Sequence, residues 1–160
     1  MKTIKEIMVL APQHCTRNET LKDISIRMHK ANIGSLPVLD ENKKVVGIIT
    51  DRDIALSLGK HDNKPHADLK VHEIMTSKVH TISPEESTTT ALKIMRTNMV
   101  GRLPVVDNKR ELKGMVSLNR ILRDSRGTKE ADELEYAGEE NVLLTLHSIA
   151  ERNAVHHSES

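Results

Sequence analysis

The 160-residue chain has no tryptophan, no phenylalanine and one tyrosine, Tyr136. Ile, Val, Leu and Met must therefore fill its core, and the stacking platforms on which nucleic-acid bases lie are missing. Charge of either sign is not in excess. With a net charge of +1, and Lys and Arg interspersed among Asp and Glu, no long-range field draws a polyanion. A single cysteine, Cys15, excludes an internal disulfide and fits a reducing compartment. The longest apolar runs, such as Ile7 to Ala11, are too short for a bilayer span or a signal-peptide core. The expectation is a soluble, cytoplasmic protein that binds neither nucleic acid nor membrane. Its length suits one ordinary domain with a real core.

What is present is a repeat. Ile7-Met8 returns as Ile74-Met75, an offset of 67 (position 74 against position 7). The same offset carries Glu6 to Glu73, Met28 to Met95, Gly34 to Gly101, Leu36-Pro37-Val38 to Leu103-Pro104-Val105, Asp40 to Asp107, Gly47 to Gly114 and Ile54 to Ile121, with no gap. A fixed offset that recovers two glycines and a proline marks a tandem duplication. Each unit is small enough that burying its apolar face alone is marginal, so the halves are expected to pack together. The boundaries read as a first unit over 2–58, a linker over 59–69, a second unit over 70–125 and a C-terminal segment over 126–160.

In the first unit Thr3-Ile4-Lys5-Glu6 is a capping box that opens a short helical turn. His14-Cys15-Thr16 is a short strand. A helix runs from about Thr20 to Ala31 with Leu21, Ile24 and Met28 on one face, broken by Ile33-Gly34. Strands follow at Ser35 to Leu39 and Val45 to Ile49, and a closing helix at Asp51 to Leu58. The second unit repeats this with strands near Thr81-Ile82, Arg102 to Val106 and Leu112 to Val116, and helices from about Ser87 to Met99 and Leu118 to Asp124. Pro37 and Pro104 lie inside strands, where a missing N–H is tolerated mainly at an edge. In the C-terminal segment Val142, Leu146 and Ile149 form an apolar stripe that predicts an amphipathic helix over about 140–152.

The chemistry concentrates in Val45 to Ala55, Val-Val-Gly-Ile-Ile-Thr-Asp-Arg-Asp-Ile-Ala. A strand that passes directly into a helix is expected to leave unpaired N–H groups and the positive end of the helix dipole facing outward, which attracts an anion such as phosphate. Thr50 supplies a hydroxyl there, and Asp53 a carboxylate able to accept from both hydroxyls of a ribose. Equally, Thr50-Asp51-Arg52-Asp53 is a capping box that satisfies the helix's own first turn.

The duplication, Gly-Ser-Leu-Pro-Val and Gly-Ile-Ile-Thr-Asp-Arg-Asp-Ile-Ala together closely resemble the CBS domain family, named for cystathionine β-synthase, and in particular its small stand-alone bacterial or archaeal pairs. The resemblance covers roughly Lys2 to Arg123. It implies an α/β fold of tandem β-α-β-β-α repeats with pseudo-twofold symmetry, pairs that associate as disc-like homodimers, and adenosine-type ligands (AMP, ADP, ATP, S-adenosylmethionine or NAD(H)) in the cleft between two units. The family motif Gly-h-x-[Ser/Thr]-x-x-[Asp/Asn], with h apolar, is met in full from Gly47 to Asp53. By resemblance Asp53 holds the ribose, Thr50 a phosphate and Ile48 a wall of the adenine slot. Val79 and His80 line the base and Arg102 lies near the phosphates. The second motif, Gly114-Met115-Val116-Ser117-Leu118-Asn119-Arg120, keeps the hydroxyl in Ser117 but replaces the carboxylate by Arg120, which has no acceptor for ribose. One competent nucleoside site per chain is therefore expected, with the site at Ser117 and Arg120 empty or altered.

The other candidates are weaker. Cys15 aligns with Ile82 and reads as a small buried hydrophobe. The nine histidines, among them His61, His66, His72 and the pair His156-His157, show no metal-ligand signature, so no metal is expected. No Gly-x-Ser-x-Gly elbow, Walker loop or Gly-x-Gly-x-x-Gly is present, and no nucleophile has an evident base, so the chain does not read as an enzyme. The leading reading is a regulatory or sensory module that requires no cofactor, takes an adenine nucleotide as its ligand and acts on an unidentified protein partner. The competing reading is a structural homodimerisation module with an empty cleft.

Overall fold

A computed structural model of the chain describes residues 2–59, 65–125 and 145–147. The first repeat forms α1 (Ile4–Ile7), β1 (Val9–Leu10), β2 (Cys15–Thr16), α2 (Leu21–Ala31), β3 (Ser35–Leu39), β4 (Val45–Thr50) and α3 (Asp51–Ser57). After a 3-10 turn at His66–Asp68, the second repeat forms α4 (Val71–Ile74), α5 (Thr88–Asn98), β5 (Arg102–Val106), β6 (Leu112–Ser117) and α6 (Leu118–Ser125). Local signals place these elements. Thr20 caps α2 by accepting from Asp23 N at 3.1 Å, and Leu21, Ile24 and Met28 are buried at helical spacing. Along β4, buried and half-buried residues alternate, as a one-sided strand requires.

Several expectations are corrected. The helix α2 ends at Asn32 in the left-handed region, φ 51°, rather than at Gly34, and no described glycine has positive φ. An asparagine side chain tolerates that conformation, so the stop needs no glycine. The strand near Thr81-Ile82 reduces to one bridge, Ile82 to Val105. Pro37 is not at an edge, because β3 lies between β2 and β4. It is tolerated there because β2 is only two residues long and begins at Cys15, opposite Val38. Of the helix expected over 140–152, only 145–147 is described; these residues are helical, and Thr145 Oγ1 donates to Leu92 O at 3.5 Å. The rest of that helix, most of the C-terminal segment and part of the linker lie outside the described residues.

The chain folds into two compact units whose limits are not those of the repeats. One is built from Ala11–Val79 with Asn108–Leu112, the other from Met1–Leu10, His80–Asp107 and the chain from Lys113 on. We call them the first-repeat and second-repeat units. Each repeat thus contributes its leading segment to the other repeat's unit. Ile4 and Ile7 are buried in the core with Ile82, Met95, Leu103 and Val116, while Leu69 and Val71 join Cys15, Leu21, Ile24 and Leu36. The exchanged backbone bonds match position for position: Ile4 N donates to Glu86 O at 2.8 Å and Val71 N to Glu19 O at 3.0 Å. Lys5 N donates to Pro84 O at 2.8 Å and His72 N to Arg17 O at 3.1 Å.

The strand edges follow the same exchange. Val9 pairs antiparallel with Met115, and Thr76 bridges Ile48. Behind each pairing a methionine thioether lies on a glycine. A Cβ on Gly47 would stand 2.6 Å from Met75 Sδ, and one on Gly114 would stand 2.7 Å from Met8 Sδ. The repeated Ile-Met and Gly signals are therefore two halves of one contact, and the glycines serve close approach rather than a turn.

Candidate functional site

The junction of β4 and α3 is the chemical centre of the first-repeat unit. Thr50 is the N-cap of α3, with extended backbone at φ −118° and ψ 162°. Its hydroxyl accepts from Asp53 N at 3.1 Å and donates to Asp53 Oδ2 at 2.8 Å. The same oxygen accepts from Thr50 N, also at 2.8 Å. The capping box is closed in both directions.

Outward-facing, unpaired N–H groups are not found at this helix start. Asp51 N donates to Gly34 O at 3.1 Å, Arg52 N to Asp51 Oδ1 at 2.8 Å and Asp53 N to Thr50. The orphan donors of a helix N-terminus are taken by the chain's own acceptors, two of them side chains adjacent in sequence. What the turn still offers is acceptor capacity: among the described residues Asp53 Oδ1 has no hydrogen-bond partner, and an ionised carboxylate has about four lone-pair sites.

Ile48, Thr50 and Asp53 are brought together on this strand and helix, all half-buried. Ile48 has its backbone fixed by Thr76, to which its N–H donates at 3.0 Å and from which its carbonyl accepts at 2.9 Å. Val79 falls in the same unit, while His80 and Arg102 belong to the second-repeat unit. Val79 and His80 are half-buried in irregular chain, and Arg102 is the exposed first residue of β5.

In the second-repeat unit, Ser117 Oγ accepts from Arg120 N at 3.2 Å, so the hydroxyl half of the cap is retained. The other half has a new target: Arg120 Nε donates to Ile7 O at 2.7 Å. The guanidinium ties the end of α1 to the start of α6. The sequence shows the charge reversal at Arg120 but not this partner, 113 residues away in the chain.

Two features escape the motif reading. Arg27 donates to Glu19 through its two terminal guanidinium nitrogens, and Nη1 also donates to His14 O. Burial pushes the Glu19 carboxyl up, but the bonds from Arg27 and from Thr16 N outweigh it and hold the group below its ordinary range. This pair borders a groove of about 430 Å³ whose other wall runs from Ala11 to His14. The position matching Arg27 at the repeat offset is Ile94, so comparing the repeats would have exposed the pair. Cys15 is fully buried, and burial, with Glu19 adding to it against Arg27, pushes its thiol up to about 12. Among the described residues no group of His, Cys, Asp and Glu is arranged to hold a metal; His72 Nδ1 lies 3.0 Å from Arg17 O. No described helix is long and apolar enough to cross a membrane.

Comparison with known proteins agrees with this architecture. The CBS domain model matches twice, at residues 4–60 and 71–127. Protein YlbB of Bacillus subtilis, itself uncharacterized, is 35% identical over 122 residues, covering 76% of this chain and 80% of its own. Protein MJ1232 of Methanocaldococcus jannaschii, also uncharacterized, is 38% identical over 120 residues, which is 75% of this chain but only 36% of that protein. Among solved structures, the CBS domain pair of protein MJ0100 in complex with 5′-methylthioadenosine and S-adenosyl-L-methionine is 30% identical. It superposes with a TM-score of 0.71 over 81% of this chain and 99% of that one. With both repeats matched and the paired α/β units in place, the chain belongs to the CBS domain family.

Proposed function

We propose that this protein is a regulatory or sensory module that binds an adenosine-type ligand at the first-repeat β4–α3 junction. The observation that carries the reading is the half-buried Asp53, whose Oδ1 has no partner among the described residues, on a strand-to-helix turn that satisfies the family's ribose motif in full. The family neighbour MJ0100, in complex with two adenosine compounds, supports the same ligand class. Asp53 receives the ribose hydroxyls, Ile48 lies against the base and Thr50 fixes the carboxylate that does the binding. Val79, His80 and Arg102 are assigned to the same ligand by family resemblance. Ser117 and Arg120 form the altered counterpart.

The second repeat supports a role for Asp53 beyond capping. Helix α6 forms with Arg120 where α3 has Asp53, so this helix start does not need the acidic half of the box. The module acts without catalysis, as a homodimer, by a ligand-dependent bias between two states of the pair that a partner protein reads. The alternative, a structural dimerisation module without ligand, draws on the closed capping box.

A thermal-shift panel of AMP, ADP, ATP, S-adenosylmethionine and NADH separates the two. A true ligand at 100 times its Kd adds about 2.7 kcal/mol, a rise of about 5 to 11 °C for a chain this size. Asp53→Ala abolishes the rise and leaves the dimer intact. If no compound raises the melting temperature, the structural reading stands.

A further inference from the structure

We propose that residues 2–10 are swapped between two copies of this chain, with Ala11-Pro12 as the hinge. Each copy's segment then completes the second-repeat core of the other. The swap needs no ligand and stands apart from the adenosine reading.

The hinge is strained where the chain passes from one unit to the other. Leu10 belongs to the second-repeat unit and Ala11 to the first-repeat unit. Ala11 has φ 44°, left-handed backbone that is costly for an alanine and not for a glycine. The next residue is Pro12, and a proline drives the residue before it toward extended backbone. Two local preferences therefore oppose the closed turn. The repeat isolates this strain. Among the described non-glycine residues with positive φ, Asn32 matches Met99 and Lys43 matches Arg110 at the offset of 67, but Ala11 stands without a counterpart. At its matching position Lys78 does not share the conformation and is followed by Val79 rather than proline.

What holds the segment lies within one unit. Ile4 and Ile7 are buried in the second-repeat core. Ile4 N donates to Glu86 O at 2.8 Å, Lys2 Nζ donates to Asp124 Oδ1 at 3.0 Å, and Val9 pairs with Met115. Among the described residues, no hydrogen bond of residues 2–10 ends on Ala11–Val79. A second copy offers the same partners. A swap rebuilds all of these bonds and relieves the hinge in both chains, the condition under which a short strained loop opens into a swapped dimer.

The surface beside the hinge fits this partner. Val9 and Leu10 are 50% and 68% exposed, whereas the matching positions of the second repeat hold the polar Thr76 and Ser77. When the hinges open, the two chains pass each other there, and the two apolar pairs cover one another.

The test uses the natural 160-residue sequence. Equal amounts of chain labelled with light and heavy nitrogen are unfolded in urea and refolded together. A zero-length carbodiimide then couples Lys2 to Asp124, whose Nζ and Oδ2 lie 3.0 Å apart, and mass spectrometry reads the linked peptides. A closed chain links only within one isotope, and a complete swap makes about half of the links mixed. The expected result is a mixed fraction that approaches this value after refolding at high protein concentration and falls when the chain is refolded dilute. Ala11→Gly, which removes the hinge strain, should lower it several-fold. The double variant Val9→Cys with Met115→Cys gives a second readout, because a disulfide across that pair joins two chains on a denaturing gel if swapped and closes one chain if not. Cys15, fully buried, stays out of this reaction. Single-isotope links at every concentration overturn the proposal. Mixed links together with disulfides that only close single chains overturn it as well, since Lys2 would then meet Asp124 of another copy without a swap. A mixed fraction unchanged in Ala11→Gly overturns the role of the hinge.

Discussion

The two strand-to-helix junctions, Thr50 with Asp53 and Ser117 with Arg120, start from the same backbone plan and end in different chemistry. In both, a hydroxyl at the cap accepts from the N–H three residues on, at 3.1 and 3.2 Å. In the first, the residue at that position is an acid that folds back onto its own cap. In the second it is a base that reaches across to Ile7 O. A single hydroxyl is thus enough to start the helix. The third helical position closes the cap in one repeat and holds the exchanged N-terminal segment in the other.

The comparison can be broken hardest at the glycines behind each junction. Gly114→Ala would place its Cβ 2.9 Å from Val9 O and 2.7 Å from Met8 Sδ. Because the carbonyl cannot move aside, we expect a loss of about 2 to 3 kcal/mol, at the upper end for overpacking. Gly47→Ala meets the flexible Met75 thioether at 2.6 Å and Val38 Cβ at 3.3 Å, and a loss of about 1 kcal/mol is expected. Urea denaturation of the two variants checks the order; equal losses would show that the exchanged segments are held alike.

At the junctions themselves the expected effects are smaller. Arg120→Ala loses a charge-assisted bond to Ile7 O, worth about 1 to 2 kcal/mol at a partly exposed site. Asp53→Ala loses the acidic half of a cap, at most about 1 kcal/mol. If Asp53→Ala proves the more damaging in thermal melts, capping rather than ligand binding explains that residue.

The repeats also differ in Glu19, which has Arg27, whereas at its counterpart Glu86 the position matching that arginine is Ile94. Glu19 has its pKa lowered in the folded chain. Its contribution is therefore present above the unfolded carboxylate value, about 4.3, and is lost as pH falls through the folded value. Arg27→Met should flatten the acid limb of the stability curve between about pH 5 and 3, read from melting temperature against pH. A limb that stays as steep would assign the acid sensitivity elsewhere.

The smallest effect is expected at the ends of the long helices. Asn32 and Met99 both take left-handed backbone, at φ 51° and 52°. Asparagine adopts this conformation at lower cost than methionine, so Met99→Asn should stabilise by a few tenths to about 1 kcal/mol. A fall in the melting temperature would show that the Met99 side chain contributes more than its backbone costs.

Much of this architecture was legible in the chain because its signals are local. The period of Leu21, Ile24 and Met28, the caps at Thr3, Thr20 and Thr50, and the constant offset fix the elements and their duplication. Partners distant in the chain were not legible. Nothing in Ile4 or Ile7 says that they complete the second repeat's core, since a buried isoleucine matches either core equally well. Pro37 reads as an edge residue because a sequence does not show how short the neighbouring strand is. At the site, Thr50 and Asp53 were visible as types. The closure of every first-turn donor was not, because it depends on Gly34 O and on the direction taken by the Asp51 carboxylate.

The central claim is that one repeat keeps a ligand carboxylate and the other has given it up. Calorimetric titration of the wild-type chain with 5′-methylthioadenosine, repeated on Asp53→Ala, tests it most directly. The account predicts one ligand per chain, lost in the variant. Two equivalent ligands per chain, or one that survives Asp53→Ala, would contradict it.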